Sequence, residues 1–484
     1  MGIFLKEHIA YKLLLTDDFN SIEEKDRKDY LWNDSLEKIK PRKFKTERGR
    51  DYHCFSCKIS EKEVTLNSDY FVGLDWLTRD RFIHIEPKLN FVVSTSFENM
   101  SSQTNEEISE DEIEKLNEAA EKEISKAAEN IDDKNDLIKE VNVIAMLMKI
   151  MSHSEVAKET DKLLLIDWEA SEIEIEQKQD LLTPFLVVKF LNLLQNIARK
   201  GLKKSYYKVQ ENLRNRVKGK ILVGQQIKQN VFKNRFTNTV CEYQVFGDDS
   251  LENRFLKKVF LFCTQYVDNN QHFFTGESNI SYIVNYIRPT FKHISSDVDN
   301  QDIKHLKYNP FFKEYKDSIK IGQQILRRFS YNITKTSAEK ISTPPFWIDM
   351  PKMFELYVYA KFLEDNSNFS DRNFNYQFAT HGNSLDFLIC TDDKKIVVDT
   401  KYKLKYNYGQ IHEDMRQVAG YARLNKVKNK LPYIDNEIPC LIIYPKPADS
   451  KNDSKLEIDK LLEDENEINA YHQIYKIGID LPLM

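Results

Sequence analysis

The stretch that most constrains this chain is Ser384-Leu-Asp-Phe-Leu-Ile-Cys390, Thr-Asp-Asp-Lys-Lys395, Ile-Val-Val-Asp-Thr-Lys-Tyr-Lys403. Its flanks alternate polar and apolar residues and its middle is turn chemistry, which predicts a β-hairpin. A turn centred on Asp392-Asp393 sets Asp386 directly across the ladder from Asp399. Residues two apart share a strand face, so Lys401 joins them. The other face carries Leu385, Phe387 and Ile389 against Ile396, Val398 and Tyr402, and that is a core face.

Facing carboxylates repel, and a cross-strand pair of them is unfavourable unless a cation sits between them. Mg²⁺ binds through one or two carboxylates together with water and phosphate oxygens. A lysine beside such an ion orients or deprotonates an attacking water, or offsets charge growing on a phosphate. Asp386 followed by Asp399-Thr400-Lys401 has the Asp…(Asp/Glu)-x-Lys pattern of metal-dependent nucleases. D-x-K alone is common, and a solvated hairpin face is the bland alternative. The hairpin symmetry, the apolar back face and the flanking helices favour the nuclease reading.

Those helices are predicted over 350–364 and 411–425. The first opens with Pro351 near its first position and is apolar nearly all round apart from Glu355 and two lysines. An unpaired buried carboxylate is costly, so Glu355 either pairs with a lysine or serves the site. The second places Met415, Val418, Ala419 and Ala422 inward, with Gln417 and Tyr421 four apart on one face and Asp414 one turn earlier.

At 484 residues the chain is expected to hold two to four domains. β-like runs at 52–59, 63–76 and 81–88 predict a β-rich N-terminal domain over 1–100. Residues 101–138 are expected to be an acidic helical linker or insertion. From Ser101 to Glu140 fourteen Asp or Glu face five Lys or Arg, a balance of −9 that leaves +4 for the rest of a chain totalling −5. A weakly basic body is compatible with nucleic-acid binding through local patches. A mainly helical middle domain is expected over 139–340. Within it, residues 199–220 hold nine basic residues and one acid: Arg199, Lys200, Lys203, Lys204, Lys208, Arg214, Arg216, Lys218 and Lys220 against Glu211. Apart from Lys208, which is given no role, these are the candidate contacts to phosphates or to an acidic partner. A solvated helix face is the competing reading. The paired prolines of Ser342-Thr-Pro-Pro-Phe-Trp347 open a C-terminal domain, 341–484, with a mixed sheet flanked by helices.

No apolar run approaches eighteen residues and no signal-peptide pattern opens the chain, so a cytoplasmic protein without a membrane partner is expected. Six cysteines do not make a disulfide framework. Cys54-x-x-Cys57 lacks a second pair at zinc-site spacing and reads as two partly buried thiols. The chain has no GxxxxGK[ST] element.

Glu355, Asp386, Asp399-x-Lys401 and Gln417-xxx-Tyr421 together resemble the PD-(D/E)xK nuclease core in its McrC-type form, from the nuclease subunits of McrBC-like modification-dependent restriction systems. Leu385 stands where the pattern often has proline. Three further stretches are similar to McrC-like chains: Tyr70-Phe-Val-Gly-Leu74 with Ile83-His-Ile-Glu-Pro-Lys-Leu89, Arg199-Lys-Gly-Leu202 through Ile221, and Cys241-Glu-Tyr through Leu256. The resemblance implies an α/β multidomain chain ending in a restriction-endonuclease-like domain. It implies a Mg²⁺-dependent endodeoxyribonuclease, with Mn²⁺ as the alternative ion, acting in defence against foreign DNA. Asp386, Asp399 and Glu355 would ligate the metal, with Lys401, Gln417 and Tyr421 completing the catalytic set. The implied partners are DNA and a McrB-like AAA+ GTPase that this chain docks on and stimulates, with dimerisation through the motor assembly. The alternatives are a stand-alone RecB-like repair nuclease, an RNA-directed nuclease, and a catalytically silent motor-binding module.

Overall fold

A computed structural model describes residues 2–7, 10–17, 22, 27–32, 39–45, 51–68, 70–78, 80–90, 138–274, 280–298, 313–329, 340–366, 368–369, 373–380, 383–391, 394–402, 410–430, 437–447, 455–468 and 471–483. The acidic segment 101–138 and the turn residues Asp392 and Asp393 lie outside them, save for Ile138. The chain divides into two units, one made of Met1–Ile175 with Ser342–Met484 and the other of Glu176–Ile341.

The first unit begins with β1 (Gly2–Lys6), β2 (Phe71–Trp76) and β3 (Phe82–Glu86), then α1 (Val143–Ser152) and β4 (Leu164–Ile166). A further four-stranded sheet includes Ala10–Thr16 and Glu63–Asn67. Ile3, Leu5, Leu13, Val64, Leu66, Phe71, Ile83 and Ile85 pack into one core there.

The second unit gathers the helices α2 (Leu182–Lys200), α3 (Leu251–Asn269) and α4 (Lys313–Arg328). Its buried charge is satisfied locally. Arg328 pairs with Asp180 at 2.7 Å and donates to Thr183 Oγ1 at 3.0 Å, so neither ion is buried alone. Between α2 and α3 the chain departs from the expected helical pattern. Ser205–Arg214 is a strand, β5, paired antiparallel with β6 (Asn238–Gly247) from Ser205↔Gly247 to Arg214↔Asn238. Gly201 ends α2 at φ +87, and the alternation Tyr207-Lys208-Val209-Gln210 that follows suits a pleated ribbon.

Returning to the first unit, β7 (Phe346–Asp349) leads into α5 (Met350–Asp365), β8 (Phe374–Thr380), β9 (Asn383–Cys390), β10 (Lys395–Thr400), α6 (Gln410–Ala422), β11 (Cys440–Pro447) and β12 (Ile474–Leu481). The strands from β8 to β12 form one mixed sheet in chain order, antiparallel as far as β10 and parallel beyond it. α5 supplies Tyr359 and Phe362 to an aromatic cluster with Phe374 and Phe387. Met415 and Val418 of α6 pack with Leu388, Val397 and Ile442. Asp349 caps α5 by accepting from Lys352 N–H at 3.0 Å.

The consecutive domains expected from the sequence are interleaved here. β7, expected to open a separate C-terminal domain, instead lies between β2 and β4 in the N-terminal sheet, whose order is β1-β3-β2-β7-β4. Phe346-Trp-Ile-Asp349 is too apolar to stand as a linker, and Trp347 joins the N-terminal core with Nε1 donating to Asp75 Oδ2 at 3.1 Å. Residues 142–166, expected in the middle domain, also belong to the first unit. Among the described residues no helix is long and apolar enough to cross a membrane.

The β2–β7 pairing is close. A Cβ added at Gly73 would lie 2.1 Å from Phe346 O and 2.9 Å from Trp347 Cα, both backbone atoms that cannot swing aside. Gly73→Ala is therefore expected to cost about 2–3 kcal/mol, seen as a lower denaturant midpoint for the unit that holds the hairpin. An unchanged midpoint would show that this strand pairing does not hold the two parts of the unit together.

Candidate active site

The hairpin has the register read from its sequence. Phe387 pairs with Val398 and Cys390 with Lys395, so the ladder is symmetric about the turn. Leu385, Phe387, Ile389, Ile396, Val398 and Tyr402 are all buried, and Leu388 and Val397 on the other face are buried as well. The hairpin is thus covered on both faces, and its charged groups sit at the end away from the turn.

There the side chains of one cluster converge. Asp386 Oδ2 accepts from Thr400 N–H at 2.7 Å and from Thr400 Oγ1 at 2.6 Å. Lys401 Nζ lies 2.5 Å from Asp399 Oδ2, donates to Gln417 Oε1 at 2.8 Å and stands 3.7 Å from Asp414 Oδ1. Gln417 Nε2 donates to Tyr421 Oη at 2.7 Å. Four of the expected residues, Asp399, Lys401, Gln417 and Tyr421, form one linked chain, with Asp386 anchored on the adjoining Thr400.

Glu355 sits differently. Its Oε1 accepts from Lys352 Nζ at 3.1 Å and from Gln377 Nε2 at 3.1 Å. Gln377 stands where the β8–β9 ladder skips one pair, opposite Asp386, without any change of register. Pairing runs to Tyr376↔Phe387 and resumes at Phe378↔Leu385, with Gln377 between them at φ +46. A glutamine held in the left-handed region inside a strand is strained, and such residues concentrate at functional sites.

The electrostatics are those of a site with too much negative charge. Burial pushes the Asp386 carboxyl well above its usual range, and Glu355 and Asp399 push it further, against the two Thr400 hydrogen bonds. Burial also raises Asp399, as do Asp414 and Glu355, while Lys401 opposes them. Burial alone would lower the Lys401 ammonium, yet Asp399, Asp414 and Asp386 hold it above its ordinary value. The donor set is hard oxygen, which suits Mg²⁺ and not a soft metal. Among the described residues no three His, Cys, Asp or Glu side chains stand close enough to hold an ion by themselves. Asp386 and Asp399 fit an ion that keeps water and phosphate oxygens as its other ligands. Cys54 and Cys57 are free thiols raised by burial, which disfavours the thiolate that zinc requires.

Three residues of this cluster were given no role from the sequence. Asp414 could be traced, since it lies three residues before Gln417 and so on the same side of the helix. Thr400 is the unspecified position of D-x-K, and nothing in the sequence marks Gln377 as left-handed.

The basic segment divides into two groups. Lys200 pairs with Glu314, and Lys203 pairs with Glu252 at 2.7 Å, with both side chains mostly buried in the second case. Lys203 is therefore an internal counter-ion. Arg199 lies over the Tyr286 ring at 5.9 Å, and Lys204 is 4.0 Å from Asp248. Arg214, Arg216, Lys218 and Lys220 are exposed, with Lys218 Nζ 3.9 Å from the Tyr243 ring centre. The surrounding ribbon is held by amides more than by a core. Asn230 Nδ2 donates to Asn212 Oδ1 at 2.9 Å and to Gln226 Oε1 at 2.8 Å. Phe232 and Phe236 are left 78% and 74% exposed, a marked departure from a solvated polar surface.

A family model described as "McrBC 5-methylcytosine restriction system component" matches residues 92–445. No curated protein matches the chain. Among solved structures it is similar to a refined half-complex from a tetradecameric assembly of Thermococcus gammatolerans McrB AAA+ hexamers with bound McrC. That similarity has 12% identity, 99% coverage of this chain, 94% of the other and a TM-score of 0.34. A cryo-EM structure of the Thermococcus gammatolerans McrBC complex is similar at 12% identity, with 76% and 89% coverage and a TM-score of 0.27.

The raised Asp386 gives a signed prediction. Between the unfolded and folded pKa values the folded state holds the extra proton, so stability falls as pH rises through that window. Asp386→Asn keeps an acceptor for Thr400 and removes the charge. In EDTA its melting temperature should exceed that of the unaltered chain at pH 8, with the gap closing towards pH 4. A variant less stable at pH 8 would contradict the crowded-charge account.

Proposed function

Because the chain belongs to the McrBC 5-methylcytosine restriction system component family, we propose that it is the Mg²⁺-dependent DNA endonuclease subunit of such a system, with a PD-(D/E)xK core. The observation that carries this reading is the convergence of Asp386, Asp399 and Lys401 at one end of a doubly covered hairpin. Two carboxylates and an ammonium in that arrangement match what phosphodiester hydrolysis needs from a protein.

The residues divide the work. Asp386 and Asp399 would hold the metal, with Asp386 fixed in place by both Thr400 hydrogen bonds. A bound Mg²⁺ would supply Lewis-acid polarisation of the phosphate and a more acidic water. Lys401 is aimed by Gln417, and Gln417 by Tyr421, so the ammonium has a fixed direction in which to orient a water or meet phosphate charge. Glu355 is tied to Lys352 and Gln377, and would join the site through its field or by rotating off that pair.

The partner reading rests on the second unit. An exposed ribbon carrying Arg214, Arg216, Lys218 and Lys220 beside Phe232 and Phe236 is suited to a macromolecular surface. A McrB-like AAA+ GTPase would occupy it or share it with DNA, in keeping with a family named as a component of a system.

Asp399→Ala should abolish Mg²⁺-dependent cleavage of 5-methylcytosine-containing DNA in the presence of the partner GTPase and GTP, while circular dichroism stays unchanged. Lys401→Ala should slow cleavage by about 10²-fold or more. Cleavage by Asp399→Ala at the rate of the unaltered chain would sink the site assignment. Strong cutting by the isolated chain, indifferent to GTP and partner, would favour the stand-alone repair nuclease.

Reversing Arg216 and Lys218 to Glu tests the ribbon. Weaker DNA binding with a flatter salt dependence would assign it to phosphates, because fewer counterions are released. Unchanged DNA binding with loss of co-elution with the GTPase would assign it to the partner. Neither effect would return the ribbon to plain surface.

A further inference from the structure

Lys401 has two carboxylate neighbours, and only one of them is a metal ligand in the reading above. Its ammonium lies 2.5 Å from Asp399 Oδ2 and 3.7 Å from Asp414 Oδ1, with Gln417 Oε1 at 2.8 Å. All three charged side chains are nearly buried, at 12%, 6% and 9% exposure for Lys401, Asp399 and Asp414. As the structure stands, the ammonium occupies Asp399 Oδ2, one of the two oxygens that carboxylate could offer a divalent cation. Two cations cannot share that carboxylate oxygen at contact distance without strong repulsion, and a buried ammonium left without an acceptor is itself costly. Lys401 therefore needs somewhere to stand when Asp399 is engaged. α6 provides it, because Asp414 and Gln417 are three residues apart and both reach Lys401 from the same side of the helix.

We propose that Asp414 is a positioning residue that draws the Lys401 ammonium off Asp399. Asp399 is thereby freed for a divalent cation while Lys401 stays charged and aimed at the reacting phosphate. This inference rests on the two-carboxylate metal reading and adds to it a counter-ion from α6 that stands against Lys401. The structure assigns Asp414 this part by placement and burial: its Oδ1 stands 3.7 Å from Lys401 Nζ, on the side of Lys401 that α6 covers. Its charge also reaches Asp399 directly, and removing Lys401 separates that route from the one through the ammonium.

The test is calorimetric titration of the full chain with Ca²⁺ alone, without DNA, on the unaltered protein, Asp414→Asn, Lys401→Ala and the double variant. With Asp414 neutralised, Lys401 has only Asp399 as a carboxylate partner and competes harder for it, so Ca²⁺ affinity should fall by roughly 10–100-fold. Lys401→Ala should tighten Ca²⁺, and in that background Asp414→Asn should change affinity by less than about threefold. Asp414→Glu, which keeps the charge, should recover most of the affinity lost in Asp414→Asn. Should Asp414→Asn fail to fold, Asp414→Ser carries the same cycle with a smaller side chain. An equal loss with and without Lys401 would overturn the inference and leave the metal reading standing, since Asp414 would then act by charge alone. No change in either background would overturn it too. Absence of Ca²⁺ binding by the unaltered chain, matching Asp399→Ala, would overturn the metal reading and the inference together.

Discussion

The structure turns on a charge imbalance that the hairpin holds at the edge of a core. Asp386 and Asp399 stand on adjacent strands with one ammonium between Asp399 and Asp414, and Glu355 adds its field from α5. Left to itself such a cluster would loosen the fold. What confines it is packing: β9 and β10 are buried on both faces, with aromatic residues of α5 on one side and Met415 and Val418 of α6 on the other. Each fully buried aliphatic or aromatic side chain in such a sheet contributes about 1.5–3 kcal/mol, enough in sum to offset several unfavourable carboxylates. A crowded-charge site of this kind costs stability, the usual pattern for function set against stability.

The same packing ties the site to the far end of the chain. Tyr402, the residue after Lys401, packs against Phe354 with its ring tilted and donates its hydroxyl to Glu7 Oε2 at 3.1 Å. Burial holds the Glu7 carboxyl well above its usual range, so this contact lies in a region closed to water. β7 runs through the N-terminal sheet immediately before α5 begins, and Gly73 lets the two strands approach. The β-rich N-terminal region is therefore the wall against which the hairpin and α5 are set. An isolated 341–484 fragment would lose both the Glu7 contact and the partners of β7.

The hairpin was legible because its information is local. Alternation gives the faces and the symmetric polar turn gives the register, so Asp386, Asp399 and Lys401 followed from spacing alone. Gln417 and Tyr421 followed from helical periodicity. The rest depends on contacts distant in sequence. That Glu355 turns to Gln377 depends on a left-handed residue with no signature in the sequence. The exchange of β7 into the N-terminal sheet joins residues some 270 positions apart, which periodicity cannot register. Lys203 looked like its neighbours in a basic run, and only the fold shows it spent on Glu252. The strand β5 reads as period two once the run is separated from α2 at Gly201, but its density of charge masks the alternation.

The account stands or falls on where a divalent ion sits. Fe²⁺ substitutes for Mg²⁺ in oxygen-ligand sites, and with ascorbate and peroxide it cuts the polypeptide within a few residues of the bound ion. Mapping the cuts by mass spectrometry tests the placement without relying on activity. The account predicts cleavage confined to the neighbourhood of Asp386, of Asp399 to Tyr402 and of Asp414 to Gln417, suppressed by excess Mg²⁺ and absent in Asp399→Ala. Cuts elsewhere in the chain, or cuts at the hairpin that survive Asp399→Ala, would contradict it.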